Sequence, residues 1–322
     1  GPACYGKEGK EPTVTDANLF LGRLGKDSKL GGWMNLDINA SKDVLESLSI
    51  KLKISPVELA EGILSIINAK MADAIRTITV KEGIDPREFS LVAFGGAGSM
   101  HAVWLAEELE INEIIVPNDP GTFSAWGMLQ TDIRRDLTVN FYQNFQSLEQ
   151  KKLLENYNKL KEEASELLKS ENVVEADMNF SLTADMRYIG QEYYVNVQLV
   201  EPFNLEEINK NFHDTYEKQY GHSTPEGPCE FINLRLIALG KIKKSGSIKS
   251  ADEQTDIADT KREVIFNQKA HQTNVLSRKK IKTNNKFKGP AVIEEPTATT
   301  VVPPNYSILK DDFGNIVISK DK

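Results

Sequence analysis

A turn of four small residues, Gly95-Gly96-Ala97-Gly98, is the stretch of this chain best suited to hold a ligand. Glycine lets a backbone turn sharply or approach a ligand closely, because it carries no Cβ. The amides at the start of a following helix form a natural seat for an anion or a sugar hydroxyl. The pattern therefore indicates a candidate nucleotide site. Its GGAG spacing matches neither the dinucleotide motif GxGxxG nor the P-loop, so a glycine turn without a ligand stays open as the alternative.

The residues on either side of the turn predict a strand–turn–helix–strand unit that positions it. The apolar run at 91–94 is too short for a helix and ends in turn residues, which favours a short buried strand. Beyond the turn, the pattern predicts a helix from about Ser99 to Leu109 and a second strand over 113–116. The turn would then connect the first strand to the helix.

A long amphipathic helix is the clearest element upstream of this unit. Ser55 is suited to the N-cap, Pro56 to the first helical position, and Glu58 completes a capping box. Apolar residues recur at helical spacing until Gly83, which predicts the end of the helix. We interpret this helix as a packing element.

The second half of the chain predicts a mixture of strands and helices. A polar helix is expected over 147–171, and alternating residues then predict a hairpin, a helix and a long strand, in the order α-β-β-α-β of an α+β sandwich. Residues 243–262 lack an apolar period and predict a loop or a disordered connector. Short β-type runs follow to the C-terminus. The predicted domains are 1–140, 141–245 and 246–322.

Composition excludes several classes of protein. The formal charge of −8 argues against a nucleic-acid partner, and no apolar run approaches membrane-spanning length. Two distant cysteines do not form a disulfide framework, so we expect a cytoplasmic protein. Because the chain begins without methionine and enters a motif-like segment at once, we expect it to be a piece of a longer polypeptide.

Six segments, in order along the chain, together resemble the C-terminal half of the hydantoinase A / 5-oxoprolinase family, which includes subunits of acetone and acetophenone carboxylases. The segments are GPACYGKEGKEPTVTDANLFLGRL, LVAFGGAGSMHA, VPNDPGTFSAWGMLQTDIRRDL, DMRYIGQEYYVNV, FHDTYEKQYGH and GPAVIEEPTATTVVP. The resemblance spans nearly all of residues 1–320. Family members often carry proline where this chain has Ser99, and both residues suit the start of a helix.

The resemblance implies a fold and an activity. The fold is similar to the second lobe of an actin-like ATPase, of the sugar kinase, Hsp70 and actin type, followed by an α+β sandwich and a small β-rich C-terminal region. The implied reaction is ATP- and Mg²⁺-dependent opening of a hydantoin or oxoproline ring, with Gly95, Gly96, Ala97 and Gly98 contacting the adenosine part. The phosphate-binding hairpins of the fold lie upstream in family members. We therefore expect this chain alone to be inactive.

A metal site is a further hypothesis within the resembling motifs. Cys4, Asp16 and His101 offer a thiolate, a carboxylate and an imidazole, a set that suits zinc or another divalent metal. The alternative is structural, with Cys4 as a loop residue, Asp16 as a helix cap and His101 in the first turn of its helix. His101 could also serve as a proton shuttle.

Two other functions stay open. The chain could belong to an ATP-dependent ketone carboxylase, or residues 141–322 could be a non-catalytic module that docks a partner. The resemblance implies a second, hydantoinase B-like subunit or domain and a small cyclic amide substrate, and it allows for an oligomer. No catalytic base or nucleophile is identified. The pair Glu294-Glu295 is an unsuitable acid/base pair, because adjacent strand residues point to opposite faces.

Overall fold

The computed structural model describes residues 1–27, 31, 33–244, 246 and 260–321. The chain forms two compact units. Unit 1 comprises Gly1–Met128 and Gly246–Lys322, and unit 2 comprises Leu129–Ser245. Most of the predicted connector at 243–262 lies outside the described residues. Among the described residues, no helix is both long enough and apolar enough to cross a lipid bilayer.

Unit 1 begins with helices and a short parallel strand pair. Its N-terminal elements are α1 (Val14–Phe20), α2 (Ile38–Leu52), α3 (Pro56–Lys81), β1 (Leu91–Val92), α4 (Gly98–Glu108), β2 (Glu113–Val116) and α5 (Phe123–Leu129). The predicted strand–turn–helix–strand unit is confirmed, and β1 pairs with β2 in parallel. The predicted N-cap of α3 is also confirmed, since the Ser55 hydroxyl accepts a hydrogen bond from the Glu58 amide at 3.1 Å, whereas the return bond that would complete the predicted capping box is not found among the described residues.

Unit 2 is an antiparallel sheet with two helices packed on one face. Its elements are β3 (Ile133–Asn144), α6 (Gln150–Ser170), β4 (Met178–Tyr188), β5 (Val195–Leu199), α7 (Leu205–Tyr220) and β6 (Cys229–Gly240). The strands lie in the order β3-β6-β4-β5. Apolar residues of all four strands form one buried core with α6 and α7. The order α-β-β-α-β predicted from the sequence lacks β3. This strand precedes α6 and pairs with β6 at the edge of the sheet.

The C-terminal strands return to unit 1. They are β7 (Thr260–Phe266), β8 (Lys269–Ser277), β9 (Phe287–Lys288), β10 (Ala291–Glu294), β11 (Thr299–Val302), β12 (Tyr306–Lys310) and β13 (Ile316–Lys320). One sheet has the order β1-β2-β13-β12-β9, and another has the order β11-β10-β8-β7. Strand β13 pairs antiparallel with β2, although almost two hundred residues separate them.

Helix α4 is the central element of unit 1, because side chains on several of its faces are buried. Ala102, Val103 and Ala106 pack with residues of β2, β10 and β13, while Met100 packs with residues of β7, β10 and β11. The helix also contacts α3. This burial fixes the start of α4, and therefore the glycine turn.

The predicted division at residues 140 and 245 stays a prediction about independently folding domains. Residue 140 lies inside β3, and strands from 260–321 share sheets and cores with the N-terminal part of unit 1.

Candidate functional site

A cavity of about 480 Å³ opens beside the glycine turn in unit 1. Three segments that resemble family motifs contribute to its lining: the N-terminal segment with α1, the turn with the start of α4, and the loop between β10 and β11. The described lining residues are Tyr5, Val14, Thr15, Asn18, Leu24, Gly31, Gly96, Ala97, Met100, His101 and Glu294–Thr299. Sequence segments nearly three hundred residues apart therefore meet at one cavity.

The glycine turn adopts the open conformation that its composition predicts. Gly95 has a φ of +86°, which lies in the left-handed region that favours glycine, and its amide donates to the Pro120 carbonyl at 2.8 Å. The N-cap of α4 is Ala97, and no side chain caps the helix. The backbone amides at this end of α4 are therefore not bonded to a capping side chain and are available to a ligand.

Thr297 brings the loop between β10 and β11 close to two glycines. A Cβ at Gly96 would lie 3.2 Å from the Thr297 carbonyl oxygen, and one at Gly121 would lie 2.1 Å from the Thr297 Oγ1. Glycine at position 121 is therefore required for this close approach. A further bond runs from the Ser99 hydroxyl to the Thr299 carbonyl at 2.9 Å, which fastens the start of α4 to β11. Proline could not make that bond.

A buried ion pair holds the same loop against the sheet. The Arg278 guanidinium contacts the two carboxylate oxygens of Glu295 at 2.8 and 2.9 Å, and both side chains are less than a tenth exposed. Arg278 also donates to the carbonyls of Val116 and Gly314. Burial raises the pKa of Glu295, whereas the hydrogen bonds and charge of Arg278 oppose that rise.

The neighbouring carboxylate of Glu294 has a different arginine. Its Oε1 accepts a bond from the Arg262 Nη1 at 2.6 Å. The expectation that Glu294 and Glu295 do not act as a pair agrees with these separate partners.

His101 lines the cavity in a fixed, uncharged state. Its Nδ1 lies 2.8 Å from the Oδ1 of Asn68 on α3, and both residues are buried. Because an amide oxygen can only accept, Nδ1 carries the proton and Nε2 keeps a lone pair. Burial lowers the pKa of His101 to about 4, and the nearby charge of Arg23 contributes to the change.

Asn18 lines the cavity, but its side-chain oxygen is enclosed. Its side-chain amide group donates to the Val14 carbonyl at 3.1 Å, one helical turn earlier. Its Oδ1 is buried and has no hydrogen-bond partner among the described residues. Such an acceptor is costly to leave unpaired.

The structure does not assemble the hypothesised metal site. The Asp16 carboxylate accepts hydrogen bonds from the amides of Ala3, Cys4 and Thr13 and from the hydroxyls of Thr13 and Ser41. Burial raises the pKa of the Cys4 thiol to about 12, and Asp16 adds to that rise, so without a metal ion the thiol is protonated at neutral pH. His101 is bonded to Asn68. In the described ranges, no group of three or more His, Cys, Asp or Glu residues could hold a metal ion.

Asp16 instead closes the N-terminal loop onto α1. It completes a capping box with Thr13, although the sequence analysis indicated Asp16 only as a helix cap. Burial by itself would raise the pKa of Asp16, but the hydrogen bonds from Thr13, Cys4 and Ser41 outweigh it, and the pKa is lowered.

The motif DMRYIGQEYYVNV forms a polar network in unit 2. Asp185 is buried and accepts bonds from Asn196, Asn233 and Arg235. Tyr188 lies on the opposite face of β4, where its hydroxyl contacts the His213 Nδ1 at 2.8 Å and accepts from a backbone amide. These contacts give the motif a role in holding strands and loops of unit 2 together.

Sequence reasoning missed Asn18, Asn68, Arg278 and Thr297 at this site. The two asparagines occupy helices, where an isolated amide carries no distinctive spacing. In the sequence, Arg278 and Glu295 look like ordinary surface charges, and only their burial in the fold distinguishes them. Two segments gave a signal: GPACYGKEGKEPTVTDANLFLGRL contains Asn18 and GPAVIEEPTATTVVP contains Thr297, but neither indicates what these residues contact.

Replacing Asp16 with asparagine tests its structural role. Asp16→Asn removes an acceptor of several buried donors, and we expect the free energy of unfolding to fall by about 3 kcal/mol, the scale of a hydrogen bond to a charged group. The matched control is Asp37→Asn at the N-cap of α2, where asparagine caps equally well and the expected change is below about 0.5 kcal/mol. Urea unfolding followed by tryptophan fluorescence gives both values. If Asp16 instead held a metal ion, EDTA would lower the free energy of unfolding of the wild type.

The buried His101 predicts a pH dependence. Because the pKa of His101 is about 4 in the folded chain and 6.5 for an unperturbed histidine, the unfolded chain binds the proton first as pH falls. The stability that this pKa shift contributes is fully present above pH 6.5. It is lost as pH falls towards 4, by about 3 kcal/mol, because each tenfold change in proton affinity is worth ~1.4 kcal/mol.

His101→Gln removes this titration, so its free energy of unfolding should fall less between pH 7 and pH 4 than that of the wild type. The control is His271→Gln, which removes a half-buried imidazole of the same unit and should follow the wild type. Tryptophan fluorescence reports unit 1, which contains Trp33, Trp104 and Trp126. Equal pH slopes for both variants would contradict the assignment.

Comparison with known proteins shows relatives of about twice this length. The chain is 36% identical over 322 residues to an uncharacterized protein of Methanocaldococcus jannaschii, covering 99% of the chain and 46% of that protein. It is 32% identical to caprolactamase subunit alpha of Pseudomonas jessenii, covering 97% of the chain and 47% of that subunit. The chain thus spans about half the length of these curated relatives.

Two solved structures share the fold. The ATP-dependent caprolactamase of Pseudomonas jessenii aligns with a TM-score of 0.76 and 28% identity, over 100% of this chain and 48% of its own. The nucleotide-free acetone carboxylase aligns with a TM-score of 0.79 and 22% identity, over 99% of this chain and 48% of its own. These similarities confirm the predicted fold class.

Family models match the two halves of the sequence. Residues 1–137 match the hydantoinase/oxoprolinase model, and residues 129–318 match the hydantoinase/oxoprolinase C-terminal domain. The resemblance in the sequence motifs is therefore confirmed, and the chain belongs to the hydantoinase/oxoprolinase family.

Proposed function

We propose that this chain forms part of a cytoplasmic, ATP-dependent enzyme that hydrolyses a cyclic amide. The observation that carries the proposal is the cavity of unit 1, where three segments resembling family motifs meet around Gly95–Gly98. The 32% identity with a caprolactamase subunit supports a cyclic amide as the substrate class, because a lactam is a cyclic amide.

The cavity fits the base and ribose of ATP better than the phosphates. Neither lysine nor arginine occurs among the described residues that line it, whereas phosphate recognition in proteins relies on such cations. The start of α4 offers backbone donors to a sugar oxygen. We therefore assign the adenosine part of ATP to Gly95, Gly96, Ala97 and Gly98. The phosphates and Mg²⁺ would be held by parts of the enzyme outside this chain.

The contribution of this chain to catalysis would be binding and orientation. ATP, when bound, supplies the phosphoryl group that makes an amide oxygen a leaving group. The residues around the cavity would hold the nucleotide base in place and exclude water from it, which positions the reacting end. No described residue of the cavity is assigned as a nucleophile or general base.

A second subunit or domain is part of the proposal. One relative is named as a subunit alpha, which supports an assembly with another subunit. In unit 2, the face of the sheet opposite α6 and α7 carries Asp185, Arg187, Glu230 and Arg235, and a docking role for residues 141–322 stays a prediction. This chain alone should not hydrolyse ATP.

Substrate-stimulated ADP release tests the proposed function. The full-length protein with its partner subunit is assayed with hydantoin, N-methylhydantoin, 5-oxoproline, caprolactam, and acetone or acetophenone with bicarbonate. We expect stimulation by a cyclic amide without bicarbonate. Stimulation only by a ketone with bicarbonate would make the protein a carboxylase, and silence across the panel would contradict both assignments.

A matched pair of glycine variants connects the assay to the cavity. Gly96→Val introduces a side chain beside the Thr297 carbonyl and should lower the stimulated rate at least tenfold. Gly62→Val, on α3, introduces the same side chain where a Cβ meets nothing within 4 Å, and it should retain the wild-type rate.

A further inference from the structure

One face of the five-stranded sheet in unit 1 packs against α4, and the opposite face is less well covered. On the face towards α4, Ile114, Ile318 and Ile308 lie side by side on β2, β13 and β12, and all three are buried. Side chains alternate between the two faces of a strand, so the residues next to these three in the chain belong to the opposite face.

The opposite face carries an apolar row that crosses four strands. Val92 of β1 lies opposite Ile115 of β2 in the sheet. Ile115 lies opposite Val317 of β13, which in turn lies opposite Leu309 of β12. Val92 is 46% exposed, and the other three residues are half-buried. A sheet face that meets water normally alternates to polar residues at such positions, so this row is suited to contact with another part of a protein.

Aromatic side chains extend the row beyond β1. Phe94 follows Val92 by two residues and is 45% exposed. Its ring centroid lies 5.3 Å from that of Phe123, and the Phe123 ring stacks on Trp126. Trp126 is 49% exposed, and its helix α5 has no buried residue. We name these connected residues the apolar face: Val92, Phe94, Ile115, Phe123, Trp126, Leu309 and Val317.

The composition of the apolar face is typical of a surface that is covered permanently. None of its side chains is charged, and exposed apolar patches of this kind mark contact sites. A surface that a partner leaves and rejoins must also be stable in water, and it is about as polar as the rest of a protein surface. Permanently covered interfaces are more apolar. The face therefore favours a partner that does not dissociate.

The lengths of the relatives indicate where such a partner comes from. The chain spans 47% of caprolactamase subunit alpha and 48% of the matched chain in the caprolactamase structure. About half of such a polypeptide thus lies outside the matched region. A segment of the same polypeptide is held near the face at a high effective concentration, whereas a separate subunit has to be captured from solution.

We propose that the apolar face is the docking surface for the half of the full-length polypeptide that lies outside residues 1–322. The docking segment presents apolar side chains of its own to Val92 and Trp126. Because Phe94 directly precedes Gly95, docking also steadies the glycine turn. The inference rests on the membership of the chain in its family and is independent of the proposed reaction.

Thiol alkylation tests the inference in the full-length protein without its partner subunit. Val92→Cys places a thiol of similar size on the face, and Leu154→Cys places the matched control on α6, where the leucine is 42% exposed. Both native cysteines of this chain are buried, and mass spectrometry identifies each labelled peptide. We expect N-ethylmaleimide to modify Val92→Cys about tenfold more slowly than Leu154→Cys, because a covered thiol is inaccessible. In residues 1–322 alone, the two rates should agree within about threefold.

Three outcomes would overturn the inference. Equal rates for the two variants in the full-length protein would show that the face stays open. Protection of Val92→Cys that appears only after the partner subunit is added would assign the face to that subunit. Protection that appears only at high concentration of the full-length protein would assign it to a second copy.

A second variant tests the contact itself. In the full-length protein, Trp126→Gln should raise the alkylation rate of Val92→Cys about threefold, because it removes apolar contact with the docked segment. The matched control is Trp33→Gln, which changes another exposed tryptophan of unit 1 and should leave the rate unchanged. Equal effects of the two substitutions would contradict the docking role of Trp126. If Val92→Cys does not fold, Phe94→Cys reports the same face.

Discussion

The buried ion pair between Arg278 and Glu295 is the constraint on which the candidate site depends. Both charges are removed from water, and such a pair is tolerated only when its geometry and additional hydrogen bonds compensate the desolvation. Here the pair is bidentate, and the remaining donors of Arg278 reach the carbonyls of Val116 and Gly314. One guanidinium therefore joins the end of β2, the turn before β13 and the loop that lines the cavity.

That loop in turn determines the shape of the site. With Glu295 held in place, Thr297 lies against Gly121 and Gly96, and the carbonyl of Thr299 accepts the Ser99 hydroxyl at the start of α4. The glycine turn is thus confined between a buried helix and a fixed loop. A site held by rigid elements can distinguish ligands by the position of single hydrogen-bonding groups, because neither side can shift to accommodate a mismatch.

The sequence predicted the local elements of the fold and only part of the site. The unit from β1 to β2 and the cap of α3 follow from short-range periodicity and capping, which operate between residues a few positions apart. Strand β3 was missed because its alternation contains Arg134, Arg135 and Asp136, and because its partner β6 lies about a hundred residues away. The pairing of β13 with β2 is equally long-range, and no local pattern encodes it.

The same distinction applies to the functional residues. The turn at Gly95–Gly98 was identified because glycine has a specific backbone role. Asn18 and Asn68 stand out only in the folded chain, where the Asn18 Oδ1 is buried without a described partner and the Asn68 Oδ1 contacts His101. Cys4, Asp16 and His101 have side chains typical of a metal site, yet the Asp16 carboxylate accepts hydrogen bonds from backbone amides, and the Nδ1 of His101 is bonded to Asn68. Residue type indicated possible chemistry there, and the three-dimensional contacts determined which chemistry is available.

A structure of the full-length protein with its partner subunit, a non-hydrolysable ATP analogue and the cyclic amide tests this account most directly. We expect the glycine turn in contact with the adenosine part of the nucleotide. A nucleotide bound elsewhere, without contact to the glycine turn, would contradict the assignment of the cavity.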